Sequence, residues 1–322
     1  MLGYKTNKGS CLCGDSLELI QTLDDGSVDL FFTSPPFALQ RQKEYGNLDQ
    51  DDYINWFCSY AESIYRKLKP SGSFVVDLGG AYQAGLPEYS LYQFKILLNY
   101  CEKYNFKLAQ PFYWHNASAL PAPIEWVNKR KLRAKSSVDT LWWFCKDPFC
   151  KANVSNVLVP YSDRMKKLLQ NPNNFVTEDN LLRPSGHVMG LSSWSKDNGG
   201  AIPANMLQIP NSESNSRYLK LCKELQLSSH PARFPSALAA FFIKFLTTRD
   251  DLVVDIFSGS NTTGEVCEKL GRRWISFELS KEYVANSSLR FAQDKESAKK
   301  YYQQILQGDF IALPSEADLL DL

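Results

Sequence analysis

Net charge is almost absent from this sequence, in which 36 Lys and Arg stand against 35 Asp and Glu, a formal +1. A strongly basic total would point to nucleic acid; here only the local distribution of charge can be informative. Histidine is scarce, with three residues, and the eight cysteines (Cys11, Cys13, Cys58, Cys101, Cys145, Cys150, Cys222, Cys267) include no CxxC pair. A zinc site would lack its ligand spacing, and no metal is expected. Long hydrophobic runs are missing too: "LAAFFIKFL" is interrupted by Lys244 and too short to span a bilayer. The opening "MLGYKTNKGS" is polar and has no apolar export segment. Free thiols scattered through strand-like and helix-like segments fit a reduced, cytoplasmic protein. What is present is a core, since 44% of the 322 residues are hydrophobic and 13% aromatic, which excludes disorder.

Apolar periodicity places alternating strands and helices in the first third. "SCLCGD" reads as a short strand and "SLELIQTL" as a helix capped by Ser16. "VDLFFT" reads as a buried strand. "DDYINWFCSYAESIYRKL" reads as a helix with Ile54, Phe57, Ala61, Ile64 and Leu68 on one stripe. "KPSG" then turns the chain into the strand "SFVVDLGG". A helix at "SLYQFKILLNYCEKY" and strands at "KLAQPFYWH" and "VDTLWWFCK" follow. From about 147 to 228 Asn, Ser, Pro and Gly dominate, and "RPSGH" and "SKDNGG" read as loops of an insert. Pattern returns with a helix at "SALAAFFIKFLTT", a strand entering "DIFSGSNTTG", a helix at "EVCEKL" and a strand at "RWISFEL". A charged helix and acidic coil end the chain. Buried strands alternating with helices imply an α/β fold with a doubly wound, mostly parallel sheet.

In such sheets ligands sit beyond the carboxyl ends of the strands, and three polar corners stand at predicted strand ends. In "VVDIFSGSNTTG" the glycine allows close approach of a ligand to the backbone, and Glu278 ends the next strand about twenty residues on, placed for ribose hydroxyls. The GxGxxG fingerprint is absent, with Ser260 and Thr263 in place of glycines, so an uncharged nucleoside fits better than a pyrophosphate. An ordinary βα turn is the plain alternative. Asp15 is placed to accept from an adenine amine, or simply to cap a helix. In "TSPPF" the two prolines stiffen Ser34, Pro35 and Pro36. The corner then presents a hydroxyl and carbonyls to an amino group on a planar base, with Phe37 as stacking surface. A rigid turn is the alternative.

Together "TSPPF", "HPARFP", "DIFSGSNTTG" and "SFEL" resemble the amino-group DNA methyltransferases of bacterial restriction–modification systems, in the permuted β-group order, over nearly the whole chain. The SPPF form is typical of members that methylate cytosine N4. The resemblance implies a circularly permuted, Rossmann-like methyltransferase sheet: a catalytic part at 1–146, a target-recognition insert at 147–228, a cofactor-binding part at 229–292 and a tail at 293–322. It implies S-adenosylmethionine as cofactor and double-stranded DNA as partner. The target would be a short palindrome such as CAGCTG, its cytosine flipped for methylation and thereby protected from a cognate endonuclease that forms no stable complex with the protein. By position, Ser34, Pro35, Pro36 and Phe37 would hold the base. Asp15, His230, Pro231, Arg233, Asp255, Phe257, Gly259, Ser260, Asn261, Thr262 and Glu278 would form the cofactor pocket. Ser258 departs from the second glycine of close relatives, "FGGS", and would narrow that pocket slightly.

Asp77, which ends "SFVVD", is the expected base or charge acceptor, acting directly or through Ser34; capping the next loop is its alternative role. Residues 115–170 carry ten Lys or Arg against four acids, a candidate phosphate-binding stripe that includes Lys129, Arg130, Lys131, Arg133, Arg164, Lys166 and Lys167. Trp142, Trp143 and Phe144 are candidates to wall the base pocket. No proline precedes a cysteine, which disfavours attack on cytosine C5. Adenine N6 is the main rival target, although an acid or Asn usually stands where this chain has Ser34. A catalytically dead DNA-binding subunit is the rival from another class, and would lack the SPPF corner or Glu278.

Overall fold

The computed structural model describes residues 2–37, 50–170, 196–211 and 216–314, in two compact units. The larger comprises Met1–Ala152 and Asn205–Leu322. It is built on one ten-stranded sheet: β1 (Gly3–Lys5), β2 (Gly9–Cys13), β3 (Val28–Thr33), β4 (Leu68–Leu78), β5 (Lys107–His115), β6 (Val138–Cys145), β7 (Met206–Gln208), β8 (Leu252–Asp255), β9 (Arg273–Glu278) and β10 (Phe310–Ala312). The spatial order is β10-β1-β2-β9-β8-β3-β4-β6-β5-β7. Neighbours are parallel except at β1–β2, β4–β6 and β5–β6. The sheet is therefore α/β and mostly parallel, with an antiparallel hairpin near one edge.

Helices on both faces explain why "VDLFFT" has no polar alternation: every residue of β3 is buried. Phe31 points to one face, into a core with Phe57, Ile64, Phe74 and Tyr100. These come partly from α2 (Gln50–Cys58), α3 (Ala61–Lys67) and α4 (Tyr92–Glu102). Leu30 and Phe32 point to the other face, against Leu238, Phe242 and Ile243 of α7 (Ser236–Leu246). Each fully buried Phe contributes roughly 1.5–3 kcal/mol relative to exposure.

Several local expectations are corrected. The first helix, α1 (Ser16–Leu19), is capped by Asp15, which accepts the Leu17 N–H at 2.7 Å; Ser16 instead donates to the Ile256 carbonyl at 2.5 Å. The helix expected from 51 to 68 is two, α2 and α3. They part where Ser59 Oγ donates to the Trp56 carbonyl at 2.6 Å, drawing that acceptor from the helical ladder. "KPSG" is no turn but the start of β4, joined to β3 through a register shift. The charged helix expected near the end is α9 (Lys295–Gln307), but the coil expected after it begins with β10, which pairs in parallel with β1. Trp142 and Trp143 face opposite sides of β6, one into each core, and Phe144 is fully buried, so none of the three walls a pocket.

The stretch 147–228 divides. Asn153–Ala204 forms the smaller unit. Its described part holds α5 (Asp163–Gln170), a bridge between Val159 and Ala201 and a Tyr161 hydroxyl donating to Asp197 at 3.1 Å. By contrast β7 extends the main sheet beside β5, and α6 (Arg217–Glu224) packs Tyr218, Leu221 and Cys222 against Leu289, Ala292 and Ala298. "RPSGH" and the acidic end of the tail lie outside the described residues.

Candidate active site

Parallel register brings together segments more than two hundred residues apart. β3 pairs with β8 through Leu30–Val253 and Phe31–Val254, and with β4 through Thr33–Val76. Ser34 therefore leaves the sheet beside Asp77, while Thr33 ends beside Asp255 and donates to it at 2.7 Å. β9 lies between β8 and β2, with Asp255 opposite Ser276 and Cys13 opposite Glu278. These carboxyl ends open on one cavity of about 850 Å³.

On one side lies the turn after β8. Gly259 has φ +51°, and a Cβ there would come within 3.0–3.2 Å of the His230 ring, so glycine permits both the turn and that contact. The Glu278 carboxylate accepts the Gly259 N–H on Oε2 and the Ser280 N–H on Oε1, each at 2.8 Å. Burial pushes its pKa up, and those two donors oppose the shift. Phe257 packs against Trp56 and Tyr60, with ring centroids 5.5 and 5.2 Å away. The His230 ring meets Tyr283 edge-on at 4.5 Å, and the Arg233 guanidinium donates to the His230 carbonyl. Asp15, Pro231, Ser260 and Thr262 also line the cavity.

Two residues expected at the cofactor lie instead beneath the wall. Asp255 is fully buried, accepting from Thr33, Thr263 and the Phe257 N–H, and its burial raises its pKa. Asn261, at φ +56°, caps α8 (Thr262–Leu270) by accepting the Gly264 N–H at 3.0 Å. It also donates to Tyr4 and accepts from Ser276, so both its amide oxygen and its amide nitrogen bond within the fold. Both shape the turn without facing the cavity. Ser258 is buried at the cavity wall, and its hydroxyl lies beside the Cys11 thiol, whose pKa burial pushes up to about 12 while the hydroxyl opposes that shift.

On the other side Ser34 donates to Asp77 Oδ2 at 3.2 Å, while Asp77 Oδ1 is buried with no hydrogen-bond partner. Burial first, and then the charge of Asp139, hold the Asp77 carboxyl well above the usual range; the Ser34 bond opposes them. Phe37 lies over Gly79, where an added Cβ would stand 2.3 Å from the ring. Pro35, Pro36, Tyr53, Trp114, Asn116 and Asp139 complete this wall. Asp139 has no motif around it. It stands second in its strand, whereas ligand-facing corners are expected where strands end, and only the antiparallel return of β6 brings its first residues to the same edge.

The candidate DNA-binding cations fall on both units. Lys129, Arg130, Lys131 and Arg133 cluster at and after a π-helical turn (Glu125–Lys129), all exposed. Lys129 and Arg130 pair with Glu125 at 3.1 and 3.0 Å. Arg164, Lys166 and Lys167 lie on α5 of the smaller unit, with Lys166 paired to Asp163 at 3.1 Å. Among the described residues no helix is long and apolar enough to cross a membrane, and no cluster of ligating side chains suits a metal ion.

A doubly wound, mostly parallel sheet whose proline corner and glycine turn face one cavity places a ligand site at the carboxyl ends of its strands. The chain belongs to the DNA methylase family, whose model matches residues 28–289. It is 55% identical over 315 residues to the type II methyltransferase M.PvuII of Proteus hauseri, covering 97% of this chain and 93% of that protein. The solved PvuII DNA methyltransferase, named as cytosine-N4-specific, superposes with a TM-score of 0.78 at 46% identity over 97% of both chains. A putative DNA modification methylase of Thermus thermophilus, solved with S-adenosyl-L-methionine, shares the fold at 16% identity, with a TM-score of 0.53 over 94% of this chain and 97% of that one.

Proposed function

We propose that this protein is a cytosine-N4 DNA methyltransferase that uses S-adenosylmethionine and acts at a short palindromic duplex site, with CAGCTG the first candidate. The observation that carries it is the single cavity shared by the Ser34–Pro35–Pro36–Phe37 corner and the Gly259–Glu278 turn. When bound, S-adenosylmethionine supplies a methyl group whose bond to sulfur breaks toward sulfur as the cytosine N4 lone pair forms the new N–C bond.

The cofactor side fits that molecule, since Glu278 holds an acceptor pair at the cavity wall and Gly259 makes the turn without the Cβ that would crowd the His230 ring. Glu278 accepts from ribose hydroxyls, Asp15 from the adenine amine, and Phe257 supplies an aromatic wall. His230, Pro231 and Arg233 lie along the methionine end, with Ser260 and Thr262 beneath. The extruded cytosine stacks on Phe37. Ser34 Oγ and the Pro35 carbonyl accept from its amino group out of the ring plane. This favours a more tetrahedral nitrogen and so binds the transition state better than the ground state. Asp77 receives charge as the amine becomes positive. Lys129, Arg130, Lys131 and Arg133, with Arg164, Lys166 and Lys167, bind phosphates, and the segment 147–228 reads bases. Methylation then protects the site from a cognate endonuclease acting separately.

Expression in a host lacking N4-methylcytosine, digestion of its DNA to nucleosides and mass spectrometry test this. N4-methylcytosine is the expected product, and N6-methyladenine alone would overturn the assignment in favour of the adenine reading.

A further inference from the structure

We propose that Asp139 is the second half of the proton acceptor: Asp77 and Asp139 form a carboxyl pair that carries one proton, and its monoanion takes the proton lost by the target amine. The idea rests on the amino-methylation reading above, which assigned the acceptor to Asp77 alone.

The geometry points this way from three sides. Asp77 stands opposite Leu141 across the antiparallel β4–β6 pair, so Gly79 and Asp139 are the next positions on the same face. Diagonal neighbours of this kind have Cβ atoms roughly 7 Å apart, within reach for two side chains. Asp139 Oδ1 stands 3.1 Å from the point a Gly79 Cβ would occupy, and Phe37 lies over that same glycine. A base stacked on Phe37 therefore has Asp139 at its edge and Asp77, through Ser34, at its amine. Finally, Asp77 is 2% exposed and its Oδ1 has no partner, an acceptor held at the cavity wall with nothing bonded to it.

The groups facing the pair do not compensate charge. The titratable groups within electrostatic reach are tyrosines: Tyr53 of α2 for Asp77, Tyr92 of α4 for both carboxyls, and Tyr89 for Asp139. Among the described residues no Lys or Arg forms an ion pair with either. Two bare carboxylates, Asp77 buried and Asp139 half-buried at the same cavity wall, repel, and one shared proton removes that repulsion. In the step itself an N–H bond of the methylated amine breaks, its electron pair stays on N4, and a new O–H bond forms on the pair. That proton returns to solvent after product leaves.

The test is the pH profile of single-turnover methylation by the full chain, with nucleoside analysis confirming the product. If wild type forms no N4-methylcytosine, the functional reading fails; the pair is judged only where it does. Asp139→Asn should bind S-adenosylmethionine within about twofold of wild type, lose more than about tenfold in rate, and move the acidic limb upward by a unit or more. Loss of the shared proton leaves Asp77 to ionise alone. Asp139→Glu should restore the limb. A limb that stays in place marks a merely structural residue, and one that moves down means Asp139 only repels charge on Asp77. Either result overturns the proposal.

Discussion

Replacing Glu278 by Gln removes one acceptor oxygen and one charge while keeping the shape of the side chain. In the native turn each oxygen accepts a backbone N–H at 2.8 Å, from Gly259 and from Ser280. Glutamine has one carbonyl oxygen, so one of those N–H groups would face an NH2 and lose its bond, at about 1–3 kcal/mol. The folded protein also stops holding a buried carboxylate whose pKa burial raises, which offsets part of that loss. Melting should therefore shift by only a few degrees, at about 2–4 °C per kcal/mol for large domains. Cofactor affinity has no such offset. Hydrogen bonds to a charged group contribute about 1.5–3 kcal/mol, so the ribose contact is worth about tenfold to a hundredfold in Kd. Titration calorimetry with S-adenosylmethionine measures it directly. The sign with pH follows from the raised pKa: the ionised carboxylate is the binding form, so wild-type affinity falls as pH drops through a value above 4.5, and the Gln variant stays flat. A Kd within threefold of wild type would refute the assignment of Glu278 to the cofactor.

Phe37→Ala should weaken DNA-dependent turnover by about 1–3 kcal/mol of lost stacking, with S-adenosylmethionine binding unchanged in calorimetry. Gly79→Ala should reproduce that loss, because the new Cβ would occupy space 2.3 Å from the Phe37 ring; normal turnover in kinetic assays would contradict the stacking role. Lys131→Ala should weaken binding to any duplex about equally and lower the salt slope of the association constant by about 0.9, as read by fluorescence anisotropy. Asp139, whose pKa burial pushes up to about 6, stabilises the fold below the ordinary carboxylate range and loses that contribution as pH rises through about 6. Asp139→Asn should thus melt later than wild type at pH 8, by up to about 3 kcal/mol, and show no such gain at pH 4 in calorimetric scans.

The two corners were legible because each combines local signals: an apolar run, then residues that restrict or free the backbone. "VDLFFT" before Pro35 and "LVVD" before Gly259 are of this kind, and both strands stand where expected. Helix breaks were harder to see, since Ser59 interrupts an apolar stripe that runs unbroken through Phe57, Ala61 and Ile64. Strand direction was harder still. Nothing in "SSVDTLWW" announces that β6 returns antiparallel, so the sequence offers Asp139 as a residue near a strand's start rather than as a neighbour of Asp77. Asp255 and Asn261 belong to the motif that marks the cofactor turn, yet their side chains are buried in holding it. A motif identifies the residues that build a turn along with those that face its ligand. The short strands β7 and β10 carry too few residues for any period to show.

The proposed reaction turns on one atom, the nitrogen that receives the methyl group. Incubating purified protein with duplex DNA and S-adenosylmethionine labelled in its methyl carbon, then digesting to nucleosides, locates that atom by mass and by nuclear magnetic resonance. The label is expected on the exocyclic N4 of deoxycytidine, and is lost when Ser34 is replaced by Ala while the cofactor still binds. Label on adenine N6 or cytosine C5, or undiminished transfer by Ser34→Ala, would contradict it.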